Sequence, residues 1–458
     1  MAQCGNFNKM LISSVFGVFL CLFVGSAFGQ AKKLSREQMV QDIDTLFSFI
    51  DKVHPDMYAV YPKQQLDKDI EKVKSELEPS GDIFYFYKQI TPLVAQLGDG
   101  HTNVNFPYDA LSDCANILFF PFFVKVTYPD KVILVQNNYK NTIPIGAQIM
   151  SINNRQANDI VQEMLSYARG EKDFYKIWNL RYAFTPMLYT LYRDSIFEIE
   201  YLFNKEKYSI QVRGISLKEC EELWEQDNAI MSSEKYTFNT LSDKNIGIIE
   251  FNEFQDMEKF NMFLDSTFQV LQKENIGNLI IDIRENGGGS SLLGDKLFQY
   301  ISPVPFRQFG KTIIKYSDIQ KQIYKTRHNW DITNPNGIEI INQDGELIAL
   351  EENNLRYKGN VFLLISHTTF SSATNFSWAF KYFKMGTVVG EETGGMAVHF
   401  GETVAPTLPN SGFLIGISSS KFYCYGATDE NIHGTLPDYV VEAEKALNFT
   451  IDLITREK

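Results

Sequence analysis

Ser371 stands where the apolar run Val361-Phe362-Leu363-Leu364-Ile365 gives way to the small-residue stretch Thr368-Thr369-Phe370-Ser371-Ser372-Ala373, which opens a helix. The first turn of a helix offers free backbone N–H groups and the positive end of its dipole. A hydroxyl there, with the N–H of the next residue beside it, has the surroundings that an acyl-transfer nucleophile needs. The plainer alternative is a helix N-cap. A serine is a weak nucleophile unless a base lies within hydrogen-bond reach, and the six histidines are His54, His101, His328, His367, His399 and His433. His101 stands out in Gln96-Leu97-Gly98-Asp99-Gly100-His101-Thr102, a glycine-broken loop that can hold an imidazole at the surface of a cleft. Read blandly, Asp99-Gly100 is a turn and His101 its polar neighbour. His367 and His433 are rival bases, His367 with a structural role favoured so close behind the serine.

A second feature is Gly287-Gly288-Gly289, which follows the apolar strand Asn278–Arg284 and precedes a helix. Its N–H groups would face a crevice at the strand's C-terminal end, which suits a developing oxyanion. The structural alternative is a tight strand-to-helix turn. Strand alternation puts Asp282 and Arg284 on one face, as a charge pair that would hold the glycine loop.

Composition narrows the classes. At 458 residues the chain is long enough for several domains, and 44% apolar residues supply ample core. A net charge of -13 argues against a nucleic-acid partner, which would want a basic stripe. Lys9, the apolar Leu11 to Val24 and Ala27-Phe28-Gly29 before Gln30 read as a cleavable export signal over 1-29, too short to span a bilayer. No stable membrane insertion is expected after its removal, and the destination is periplasmic or extracellular. Cys114, Cys220 and Cys424 then remain, a number and spacing that form neither a disulfide framework nor a zinc set. No phosphate-binding loop or zinc helix is present, and no cofactor or metal is implied.

The elements fall into three blocks. Residues 30-112 read as helical: Ser35-Arg36-Glu37-Gln38 is a capping box, and Met39, Ile43, Leu46, Phe47, Ile50 and Val53 share a face. His54-Pro55 ends that helix, a second carries Leu66, Ile70, Val73 and Leu77, and a third runs from about 82 to 97 with a kink expected at Pro92. Residues 113-215 turn to short strands, with a helix from about 157 to 167 and a hairpin around Asn204-Lys205-Glu206. From 216 to 458 strands and helices alternate, which implies a mainly parallel sheet. Within this block the polar stretch 327-345 reads as an exposed insertion.

Taken in order, Asp99-Gly100-His101-Thr102, Asp282-Ile283-Arg284-Glu285-Asn286-Gly287-Gly288-Gly289, the serine segment and Gly390-Glu391-Glu392-Thr393-Gly394-Gly395 resemble the C-terminal-processing (tail-specific) serine peptidase family. Gly146 to Asn154 is similar to that family's PDZ-like module, and Gly434-Thr435-Leu436-Pro437-Asp438 to its C-terminal element. The resemblance covers nearly all of the mature chain. It implies an α/β multidomain fold: an N-terminal helical domain carrying the His101 loop, a PDZ-like β-rich domain and a ClpP/crotonase-like α/β catalytic core. One branch of the family uses a lysine 25 residues after the nucleophile, and Met396 stands there. The resemblance therefore points to the tricorn-core-like branch, with Ser371 as nucleophile and His101 as general base. It implies an oxyanion hole from the N–H groups of Ser372 and a glycine of the 287 to 289 run, Gly288 first among them. The family's usual glutamate three residues after the nucleophile is Thr374 here. The acid expected six residues before Pro437 is replaced by Asn431, with Glu430 adjacent, as orienter of the imidazole.

On this resemblance the chain is expected to be an exported serine peptidase acting on protein or peptide substrates, with the PDZ-like module capturing an extended segment by strand addition. Two other readings compete: a family member that has lost catalysis and binds peptides or apolar ligands, and a crotonase-type acyl-CoA enzyme.

Overall fold

The computed structural model describes residues 32–112, 117–228 and 234–456; the segment 1-29, expected to be an export signal, with Cys4 and Cys21, and Cys114 lie outside the described residues. Helix α1 (Arg36–Val53) starts from the expected capping box: Gln38 N–H donates to the Ser35 hydroxyl while Ser35 N–H donates to the Gln38 side chain. It ends at His54, because Pro55 disfavours helical geometry in the residue before it. The short strands β1 (Lys33–Ser35) and β2 (Ser80–Asp82) pair antiparallel around α2 (Lys63–Glu76). Helix α3 (Ile83–Ala95) continues through Pro92 and delivers the chain to the 98–102 loop, after which come β3 (Asn103–Val104) and α4 (Asp109–Ser112).

The middle block is a sheet of β4 (Phe122–Val126), β5 (Ile133–Asn138), β6 (Gln148–Ile152), β8 (Ile196–Phe203) and β9 (Glu206–Arg213) in that order, with β7 (Arg155–Gln156) paired to β6. All its pairings are antiparallel. Its β8–β9 hairpin turns at Asn204 and Lys205, both with positive φ, as a two-residue hairpin turn requires. Helix α5 (Ala157–Leu165) was expected; the 20-residue α6 (Asp173–Tyr192) was not. The α6 sequence is rich in aromatic and apolar residues on every side, so no amphipathic stripe marks it. The arrangement is compatible with a PDZ-like module.

After α7 (Leu217–Asn228), the core begins with β10 (Tyr236–Leu241), β11 (Ile246–Phe251), α8 (Met257–Lys273), β12 (Asn278–Asp282) and α9 (Ser291–Ile301). It continues through β13 (Phe309–Tyr316), α10 (Asp318–His328), β14 (Gly337–Asn342), β15 (Asn360–Ile365), α11 (Ser372–Tyr382) and β16 (Thr387–Gly390). Last come β17 (Val398–Val404), β18 (Ile415–Cys424), β19 (Tyr439–Val440) and α12 (Ala443–Arg456). The main sheet runs β10-β11-β12-β15-β16-β19, parallel except for β10. Alternating residues explain its two covered faces. Leu279, Ile281, Leu363 and Ile365 pack with α8, α9 and α11, while Ile280, Phe362 and Leu364 pack with α12. Strands buried on both faces carry continuous apolar runs, as do Leu279-Ile280-Ile281 in β12 and Val361-Phe362-Leu363-Leu364-Ile365 in β15.

A second, antiparallel sheet, β14-β13-β18-β17, is not legible from alternating strands and helices. The exposed stretch 327-345 supplies its edge strand β14 rather than a bare insertion. This sheet ties the N-terminal helices to the core: β3 pairs with β18, and Val404, Leu408, Phe413, Ile415 and Ile417 share one apolar core with α1, α2 and α3. The His101 loop is thereby fixed against the C-terminal α/β block, although it belongs to a different part of the sequence.

Candidate active site

Strands β12 and β15 are adjacent and parallel, so the loops at their C-terminal ends, Gly287–Gly289 and Ser366–Ser371, meet. Ser371 takes φ 53° and ψ -125°, a backbone state that non-glycine residues rarely adopt. Such strain is on the order of 1–3 kcal/mol and persists only where surrounding structure over-determines it. The braces are backbone-directed. Phe370 N–H donates to Asn286 O at 3.0 Å, Gly395 N–H to Thr369 O at 3.2 Å, and the Thr369 hydroxyl to Ile283 O at 2.9 Å. Ser371 occupies the N-cap position of α11, which begins at Ser372, yet its side chain makes no capping bond. Its Oγ lies 3.1 Å from His101 Nε2 instead. That separation is hydrogen-bond reach across 270 residues of sequence.

Ser372 N–H, the first of α11, has no intrahelical acceptor and remains available to a ligand oxygen. The Ser372 hydroxyl is locked away: it donates to Gly289 O at 2.5 Å and accepts from Ser291 at 2.9 Å. Gly288 sits at φ +108°, and a Cβ there would lie 2.8 Å from Ser371 Cβ and 3.0 Å from Ser372 N, so only glycine fits. The expected role of its N–H needs correction. Gly288 N–H donates to Asn286 Oδ1 at 2.8 Å, so the group assigned to an oxyanion serves the loop's own turn. A short side-chain-to-backbone turn of this kind, here made by Asn286, is a local competitor for such N–H groups. Asp282 and Arg284 do form the expected pair, with two contacts of 2.9 and 2.5 Å, and Arg284 also reaches Ala443 O.

His101 stacks on Phe370 with ring centroids 4.7 Å apart, and its side chain is 12% exposed. Burial, aided by the Arg169 charge, pulls its pKa down to about 4 against the opposing pull of Asp99. At neutral pH the imidazole is therefore uncharged and able to accept a proton. Its Nδ1 is buried without a hydrogen-bond partner among the described residues. The nearest carboxylate oxygen to it is Asp99 Oδ1, 3.9 Å away.

Asn431 and Glu430, the expected orienters, are elsewhere. Asn431 Oδ1 accepts from Thr428 N–H at 2.8 Å within a surface turn, and Glu430 is exposed. Neither bonds to His101 among the described residues. The segment that follows Gly426, at φ +73°, closes on itself, and counting back from Pro437 lands in that turn. His367 Nδ1 donates to Glu392 O at 2.9 Å with its ring stacked on Phe174 at 4.2 Å, a packing role. His433 Nδ1 meets Gly434 O at 2.7 Å, and His399 Nδ1 meets Met396 O at 3.0 Å, with the His399 ring 6.3 Å from that of His101. Burial takes the His399 pKa down to about 3.

Sequence reasoning missed Asp99 and His54 as parts of the site. Asp99 is 2% exposed and charged, its pKa held well below the carboxylate range by hydrogen bonds that outweigh its burial. Glu171, on the other side of Gly100, accepts the Gly100 N–H at 3.1 Å, and burial followed by the Asp99 charge pushes its pKa up to about 8. Two neighbouring carboxyls thus differ in charge because they differ in donors. The Asp99-Gly100-His101 spacing was the signal for Asp99; His54, from the end of α1, carried none.

A serine hydroxyl against a neutral imidazole, at the C-terminal edge of a parallel sheet and beside a free helix N–H, is the arrangement of a serine hydrolase. Residues 245–441 match the model of peptidase family S41. Among solved structures it is similar to mature CPAF complexed with lactacystin, at 14% identity and TM-score 0.64, over 92% of this chain and 98% of that one. Mature CPAF alone gives 14% identity and 0.63 over 92% and 97%. The photosystem II D1 C-terminal processing protease gives 15% identity and 0.44 over 91% and 97%. At such identities the CPAF likeness speaks for the fold, which is shared along nearly the whole described chain. Among the described residues no helix is long and apolar enough to cross a membrane, and the Cys220 and Cys424 thiols are free and buried.

Proposed function

We propose that this peptidase is an exported serine endopeptidase that cleaves protein or peptide substrates through a Ser371 acyl-enzyme, with His101 as general base. The observation that carries the reading is the 3.1 Å approach of His101 Nε2 to Ser371 Oγ. His101 takes the hydroxyl proton as Oγ attacks the substrate carbonyl, and Ser372 N–H stabilises the oxygen on which charge develops. The imidazolium then protonates the leaving amine, and the neutral ring later activates the water that frees the acyl group. A decayed binding protein would have no use for the strained Ser371 backbone, which many bonds act to maintain. Export, to the periplasm or the outside, rests on the signal-like first 29 residues, and strand addition of substrate on the β-rich module.

A fluorophosphonate probe applied to the mature protein tests the chemistry. Labelling should map to Ser371, vanish in Ser371→Ala and slow sharply in His101→Ala, and casein should release new amines. A folded protein that neither labels nor cleaves would end the hydrolase reading. Export predicts a mature chain beginning at Gln30 outside the cytoplasm; an uncleaved cytoplasmic chain would remove that part.

A further inference from the structure

The Ser371–His101 reading, on which this inference rests, uses one nitrogen of the imidazole and leaves the other with nothing to hold it. An imidazole that shuttles a proton through Nε2 must carry its own proton on Nδ1, and some acceptor must keep the ring in that tautomer and orientation. The groups facing His101 come from four directions: Asp99 in its own loop, Arg169 ahead of α6, His399 on β17, and Glu171 across Gly100. Arg169 is a cation. His399 Nδ1 is taken by Met396 O; Glu171 Oε1 is bonded to Gly100 N–H, and its Oε2, though unpartnered, makes no hydrogen bond to the imidazole among the described residues. Asp99 is the one anion, and its Oδ1 is 3.9 Å from His101 Nδ1.

The hydrogen bonds on Asp99 show how it is prepared. His54 Nδ1 accepts the Asp56 N–H at 3.1 Å, which forces the His54 proton onto Nε2, and Nε2 faces Asp99 Oδ2 at 3.3 Å. Thr102 accepts the Ser418 N–H at 3.1 Å, so its own hydroxyl proton is free to go to Oδ2, 2.5 Å away. The Ser418 hydroxyl donates to Oδ2 as well, at 2.6 Å. Oδ2 is saturated by donors from three elements. Among the described residues Oδ1 has only the His101 N–H, at 2.8 Å, and keeps a lone pair on the imidazole side.

We propose that Asp99, held by His54, Thr102 and Ser418, is the positioning residue of this site, accepting the His101 Nδ1 proton in place of an acid at position 431. Closing 3.9 Å to a bond needs a shift of roughly 1 Å, within what unliganded sites allow. Asp99 stays ionised throughout and does not take the proton; it fixes the tautomer and stabilises the imidazolium. Gly100 is the required spacer, since a Cβ there would lie 2.6 Å from Phe370 Cζ and 2.9 Å from Glu171 Oε2.

The test is Asp99→Asn in the mature protein, read by kcat, KM and the pH profile. We expect kcat to fall about 10³- to 10⁴-fold, as loss of the third member does in triads of this kind, with KM nearly unchanged. Without the Asp99 charge the His101 pKa drops further, so the acid limb of kcat/KM should move to lower pH. In a His101→Ala background the same change should add almost nothing, because Asp99 acts through His101. A loss under tenfold, an unmoved acid limb, or a full further loss in that background would overturn the proposal. Should Asp99→Asn not fold, histidine-labelled wild-type protein decides by nitrogen NMR. His101 carrying its proton on Nδ1 supports the assignment, and His101 carrying it on Nε2 overturns it. Failure of wild-type Ser371 to label would instead strike the peptidase reading, while the tautomer would still report on Asp99.

Discussion

The two halves of the proposed Ser371–His101 site, nucleophile and base, are built by different means. The nucleophile half, residues 366–374, is positioned by its backbone: β15 delivers it, carbonyls of Ile283 and Asn286 anchor it, and Ser371 is held at a φ of 53°. The base half, residues 98–102, is positioned by side chains reaching in from the end of α1, from β18 and from the segment before α6. Steric changes should therefore disable the first half, and changes of charge or hydrogen bonding the second. Each half fails in its own way.

The largest effect tests both together. Ser371→Ala and His101→Ala should each lower kcat by roughly 10⁵- to 10⁶-fold, and the double variant should be hardly worse than either, because the pair acts as one unit. Steady-state cleavage of a peptide ester checks this; additive losses would mean the two side chains do not work as a pair. Next comes Gly288→Ala, which sharpens the steric half. The added carbon would meet Ser371 Cβ at 2.8 Å and must sit at φ +108°. Strain on the order of 1–3 kcal/mol is expected, together with a fall in kcat of about 10²-fold from displacing the nucleophile. Unchanged thermal stability with full activity would show that the turn has slack.

The contrast also explains what the sequence could reveal. The nucleophile half was readable, because strand, glycine turn and helix start follow one another locally, and Ser371 and Ser372 lie on that path. The capping box at Ser35, the α1 face and the parallel core were readable for the same local reason. The base half was readable only as far as the loop: His101 could be named, its support could not. His54 and Ser418 converge on Asp99 from 45 residues before it and 319 after it, and no periodicity encodes that. The antiparallel second sheet and α6 were missed because long-range pairing and an all-round apolar helix leave no distinctive pattern. The position of Asn431 misled because a count of residues from Pro437 assumes a loop of fixed shape.

A smaller effect separates the two buried carboxyls beside Gly100. The folded pKa of Glu171 is pushed up to about 8, whereas in an unfolded chain a glutamate titrates near 4.3. A raised folded value means that stability from this group is full below the unfolded pKa and is lost as pH rises towards about 8. Glu171→Gln keeps an acceptor for Gly100 N–H and removes the titration. Its melting temperature should match wild type near pH 5 and exceed it increasingly up to pH 8. Parallel melting curves across that range would mean Glu171 is ionised in the fold, and the charge difference from Asp99 would be lost.

The smallest expected effect bears most directly on how the imidazole is held. Asn431→Ala removes the acceptor for Thr428 N–H in an exposed turn, and Glu430→Gln removes one surface charge. Substitutions of this kind usually change stability by no more than about 0.5 kcal/mol, and kcat/KM should stay within about twofold of wild type. The pH profile should be unmoved, since neither side chain faces the imidazole. A tenfold loss of kcat with a displaced acid limb in Asn431→Ala would mean that the 427–431 turn swings onto His101 when substrate binds. The base half would then be completed from the C-terminal block, and the division between a backbone-built nucleophile and a base held from α1 and β18 would fail.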